Sequence, residues 1–195
     1  MKTHLLTTIG LTAAIVATIL SASACEPIAS PSTRFNECQI TYFDTTVAAG
    51  QPSRMRSTFD EVTAATGIAF VPGTYAQATS QYLGLLITAL PASNNPNLGG
   101  EAKTWWYVDG FGARVVVKGI IQLRSDASVG MKRHELGHVF NLSHRDGSPV
   151  MQPWPQPNGD YMPTERALMH DTVARTPCSR AGTKPTGSVN VTTDS

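Results

Sequence analysis

Along the chain, apolar residues change spacing between the two-residue period of a strand and the 3.6-residue period of a helix. QITYF (39–43) alternates and is rich in β-formers, which predicts a first strand. Over 52–66, Met55, Phe59 and Val62 fall at helical spacing, with Pro52 near the first turn and Gly67 as the stop. IAFV (68–71), closed by Pro72 and Gly73, predicts a second strand, and QYLGLLITAL (81–90) a third. ASNNPNLGGEAK (92–103) reads as a loop of turn formers. TWWYV (104–108) and ARVVVKGIIQL (113–123), joined by Asp109, Gly110, Phe111 and Gly112, predict a hairpin or two further strands. A helix starts near Ser125 to Ser128 and runs through HELGHVFNL. Residues 144–163 carry too much Pro and Gly for regular structure, and 164–176 predicts a closing helix capped by Thr164. After Cys178 the chain has no core-forming residues, so 179–195 is expected to be a disordered tail. The order of elements predicts an α+β domain over 35–178, with a mixed sheet packed on the HELGH helix.

The N-terminus needs a separate reading. Lys2 and His4 precede the apolar, threonine-diluted LLTTIGLTAAIVATIL, and the small residues Ala22 and Ala24 follow. That three-part layout predicts a secretory signal peptide over 1–24, because a membrane span needs about 20 strongly apolar residues. Residues 25–34 then form a short flexible tether. Cys25, directly after the small residues, also matches in part the bacterial lipoprotein pattern, in which the cysteine is lipidated and tethers the chain to a membrane. There are three cysteines, and an exported chain tends to pair its thiols. Lipidation of Cys25 would leave Cys38 and Cys178 as a disulfide; three free thiols are the alternative. Closing so long a loop contributes up to roughly 4–5 kcal/mol in the chain-entropy model. Of the 195 residues only 15% are charged and the formal net charge is +1, so no basic stripe points to nucleic acid. The chain is expected to be a monomer.

HELGHVFNLSH (134–144) holds three of the five histidines. His134 and His138 stand four apart, which on a helix puts both rings on one face within reach of one point. Neutral imidazole is a good zinc ligand, and two ligands do not hold a catalytic ion, so His144 is the candidate third. Glu135 is offset from the two rings, where a carboxylate can take the proton of the attacking water. On a continuing helix His144 would lie about 240° round from His138. The chain must therefore leave the helix between them, and Asn141 is the residue suited to the left-handed turn. If the helix continued instead, His144 would be a surface residue. The sequon Asn141-Leu142-Ser143 reads as incidental, because a glycan there would block the site.

The motif resembles the zinc signature of the metzincin metalloproteases, H-E-x-x-H-x-x-G-x-x-H, with Asn141 in place of the glycine. SPVMQP (148–153) resembles the methionine turn of that family, with Met151 seven residues after His144, as in compact matrixin-like members. The resemblance implies Zn2+ held by His134, His138 and His144, with Glu135 as general base. It implies Met151 as an apolar floor beneath the imidazoles, and a small C-terminal subdomain made of this turn and the closing helix. No tyrosine ligand is assigned, because Pro153 stands at its place. His170 is read as packed or exposed rather than a ligand. Trp105, Trp106 and Trp154 are read as core or pocket lining. Trp154 is a candidate wall of the pocket beyond the scissile bond. The expected activity is a secreted or surface-tethered zinc endopeptidase on peptide or protein substrates, bound extended along a sheet edge supplied by the strand in 81–90. Two alternatives are an inactive zinc-bearing binding module and a zinc peptidase acting on cell-wall peptide. Retention of Glu135 speaks against the first.

Overall fold

The computed structural model describes residues 33–35, 37–80, 84–91, 98–175 and 188–194. The proposed signal peptide, Cys25 and Cys178 lie outside them. Cys38 is disulfide-bonded, and both other cysteines of the chain lie outside the described residues, as does the expected Cys38–Cys178 pairing. Among the described residues, no helix is long and apolar enough to cross a membrane.

Seven strands form one mixed sheet: β1 (Arg34–Phe35), β2 (Gln39–Asp44), β3 (Ala69–Pro72), β4 (Gly84–Ala89), β5 (Gly100–Val108), β6 (Arg114–Leu123) and β7 (Asn190–Asp194). The order is β3-β2-β4-β6-β5-β7, with β1 also on β6. The pairs from β3 through β6 are parallel; β5 pairs antiparallel with β6 on one side and β7 on the other. Parallel neighbours need a crossover. Between β2 and β3 it is α1 (Arg56–Thr66), whose Phe59 is buried, lies 4.9 Å from the Tyr42 ring and stacks at 4.4 Å on Phe70. Burying one such side chain contributes about 1.5–3 kcal/mol. The short helix α2 (Tyr75–Ala78), which the sequence did not predict, is capped by Thr74 and leads into β4.

α3 (Val129–Val139) follows β6. Ser128 caps it, its Oγ accepting the Met131 N–H at 3.1 Å. Leu136 and Val139 of α3, and Met169 and Val173 of α4 (Pro163–Ala174), join Phe59, Ile87 and Ile121 in one core cluster. The expected α+β architecture, a mixed sheet with a few helices, is what the structure shows.

Five expectations need correction. The strand in 81–90, β4, is not an edge: β2 and β6 flank it, and its Leu85, Leu86 and Ile87 are all buried. A strand covered on both faces reads as a continuous apolar run, and that is its sequence signature. Residues 100–103, read as loop, begin β5. Within the tail expected to be disordered, residues 190–194 form β7 on the outer edge of β5. α1 starts at Arg56 rather than near Pro52, because the Asp44 carboxylate holds the preceding turn through Ser53 Oγ (2.7 Å) and the Arg54 N–H (3.0 Å). α4 is capped at Met162, whose N–H donates to Glu165 Oε2 at 2.7 Å, with Pro163 and not Thr164 opening the helix.

Candidate metal centre

The three histidines converge. His134 and His138 lie one turn apart on α3, and their Nε2 atoms are 3.0 Å from each other. His144 brings its Nε2 to 3.2 Å from that of His134. One ring nitrogen from each of the three lies within 4.8 Å of the others, and this is the group among the described residues that could hold a metal ion. A tetrahedral ion with metal–nitrogen bonds of about 2.0–2.1 Å sets its nitrogens about 3.3 Å apart, close to these separations.

Two backbone carbonyls fix the ring orientations. His134 Nδ1 lies 2.7 Å from the Val150 oxygen and His138 Nδ1 2.8 Å from the Leu142 oxygen. A carbonyl only accepts, so in the neutral rings Nδ1 carries the proton and Nε2 presents its lone pair to the common point. His138 is buried, and burial pushes its pKa down to about 4, against the proton-retaining contact with Leu142. At neutral pH it is uncharged. His144 is exposed, so the group has two buried imidazoles and one on the solvent side. This is the arrangement of a site with an accessible face.

The path from His138 to His144 is a helix exit. Asn141 takes φ 63°, the one left-handed non-glycine among the described residues. The Leu142 N–H donates to the Gly137 oxygen at 3.0 Å and the Asn141 N–H to the His138 oxygen at 2.8 Å. That pair of bonds is the Schellman closure of a helix end. Asn141 Nδ2 adds a bond to Thr33 Oγ1 at 3.2 Å, which ties the exit to the start of the described chain. The same turn aims the Leu142 carbonyl at His138 and carries His144 back to the cluster.

A second turn supports the helix from below. Ser148 Oγ accepts the N–H groups of Val150 (3.2 Å) and Met151 (2.7 Å). Met151 is fully buried against α3, and a Cβ on Gly137 would come within 2.5 Å of its Sδ. Only glycine allows that approach. Arg133 anchors α3 to α1, its Nε 2.8 Å from Glu61 Oε2.

Glu135 is buried on α3, between the two helical histidines in sequence. Its Oε1 lies where a Cβ on Gly100 would stand, 2.5 Å from that atom, so the first residue of β5 is shaped around this carboxylate. The sequence reading missed Gly100 and the carbonyls of Leu142 and Val150. A carbonyl leaves no signature in a sequence, and Gly100 lies in the stretch 92–103 that reads as a loop of turn formers.

The remaining candidates fall outside the cluster. His170 lies exposed on α4. Trp154 is 64% exposed and is not core. Trp105 and Trp106 are half-buried on β5, beneath Lys118 (4.8 Å) and Arg114 (4.2 Å) respectively. Compared with protein-family models and with curated proteins, the chain matches none.

Proposed function

We propose that the protein is a zinc-dependent endopeptidase of metzincin type, acting on peptide or protein substrates outside the cytoplasm. The observation that carries this reading is the convergence of three imidazole rings on one point beside a buried glutamate of the same helix. His134, His138 and His144 are a donor set suited to Zn2+, and three protein ligands leave a position open. A bound zinc would polarise a carbonyl and lower the pKa of water. Glu135 accepts the proton of the attacking water and passes it to the leaving amine. Its seat against Gly100 holds the carboxylate at the start of β5, where an extended chain can pair with the sheet. The Val150 and Leu142 carbonyls keep His134 and His138 in the metal-binding tautomer. Residues 148–153 serve as the methionine turn and Met151 as the apolar floor under the imidazoles.

The test is cleavage of a peptide library by the purified chain as isolated, after chelation, and after zinc is restored. Cleavage that disappears on chelation and returns with zinc is expected. A zinc-loaded chain that cuts no peptide would remove the peptidase assignment while leaving the metal centre.

A further inference from the structure

β5 is the strand by which the sheet meets the metal centre, since Gly100 lies against Glu135. From there β5 runs away from the site to Val108. Its outer edge is taken by β7, which runs the opposite way and so heads back toward Gly100. Asn190 stands opposite Trp106, Thr192 opposite Thr104 and Asp194 opposite Ala102. An extended peptide approaching Glu135 along this edge would use the same backbone groups, because one strand edge has one set of donors and acceptors.

β7 has the build of a reversible occupant. Its sequence, NVTTD, is polar apart from Val191, which is 53% exposed. The side-chain anchor is Thr192, whose Oγ1 accepts from Trp106 Nε1 at 3.0 Å and from Arg114 Nη2 at 2.9 Å. Arg114 in turn lies 4.2 Å over the Trp106 ring. A strand held by backbone pairing and one hydroxyl, with little apolar burial, belongs to the low-stability end of a structure.

We propose that residues 190–194 are an autoinhibitory strand: an internal mimic of an extended peptide that must leave β5 before such a peptide can reach the metal centre. That a displacing peptide is then cut rests on the peptidase reading; that it competes for the edge does not.

The experiment places cysteines at the directly opposed pair Lys103 and Thr193 in the full chain. The variant Lys103→Cys/Thr193→Cys is studied crosslinked and after mild reduction, with the parent chain treated alike. The binding probe is a fluorescein-labelled heptapeptide, SVNVTTD, the sequence of residues 188–194, followed by anisotropy. A peptide library is the turnover probe, and metal content is measured in both forms. Crosslinking should weaken probe binding and slow cleavage by about tenfold or more at unchanged metal content, since the tethered strand then competes at unlimited effective concentration. Equal probe binding in the two forms, or none in the reduced form, would overturn the proposal. Binding gated by the crosslink with no cleavage in either form would keep the strand's role and remove the peptidase reading. If the crosslinked chain fails to fold, Thr192→Val gives the opposite sign: loss of the anchor should tighten probe binding about fivefold. Unchanged affinity there counts equally against the autoinhibitory strand.

Discussion

The helix exit at Asn141 and the strand at 190–194 are two short segments held in opposite ways. Between Gly137 and Met151, nearly every group that positions a histidine is fixed at both ends. Two Schellman bonds close α3, two carbonyls orient two rings, and Leu142, Val150 and Met151 are buried. β7 has backbone pairing on one side, one engaged hydroxyl, and a half-exposed valine. Over-determination suits a site that must hold ligands to a fraction of an ångström. Light tethering suits a segment that has to move.

The comparison can be broken from either end, and the largest effect is expected at its exposed ligand. His144→Ala should weaken metal binding more than about 100-fold, beyond the 10–100-fold typical of losing an outer-shell partner. Because His144 is exposed, the melting temperature of the metal-free chain should barely change. Metal titration monitored alongside thermal unfolding checks both, and full metal retention would remove His144 from the ligand set.

A pH effect of intermediate size follows from His138. Burial holds its pKa at about 4, below the ordinary 6.5. Between those values the unfolded chain takes up a proton that the folded chain does not. Stability of the metal-free protein from this group is therefore complete above pH about 6.5 and falls as the pH drops toward about 4, by up to about 3 kcal/mol. Denaturant unfolding at pH 7 and pH 4.5 measures it, and His138→Gln should flatten the difference.

Asn141 gives the next smaller effect. Asn141→Gly should preserve metal affinity, since glycine accepts positive φ freely. Asn141→Val should cost about 1–3 kcal/mol, felt as displacement of His144. Equal metal affinity in the two variants would mean that strain at φ 63° does not govern the return of His144. The smallest perturbation is none at all: amide exchange of the unmodified chain. Amides of residues 190–194 should exchange about 100-fold or more faster than those of residues 134–140. Comparable protection would erase the distinction between the two regions.

Where the signal was local, the sequence carried it. The four-residue spacing of His134 and His138 places them on one helix face whatever surrounds them, and an asparagine three residues on is a local turn signal. Met55, Phe59 and Val62 mark α1 by their period, and all three are buried. α1 starts later than its apolar period suggests because Asp44, in the preceding strand, sets the turn through Ser53 and Arg54, and such a side-chain anchor leaves no periodic signal. β7 was invisible because backbone pairing leaves no hydrophobic pattern, and its residues bury little. Gly100 looked like a turn glycine because its reason, the Glu135 carboxylate, lies 35 residues further on in sequence. The edge was assigned to β4 because a continuous apolar run says that a strand is buried without saying which strands flank it.

The account stands on Glu135 acting as a base beside a metal held by the three histidines. Glu135→Gln keeps size and shape but cannot accept the proton, and general-base catalysis contributes about 10²–10⁴-fold. The direct measurement is metal content and peptide turnover on the same preparation of this variant and the parent chain. The account predicts equal metal content and turnover lower by about that factor. Equal metal content with turnover within about twofold of the parent would contradict it, because proton transfer would then not depend on Glu135.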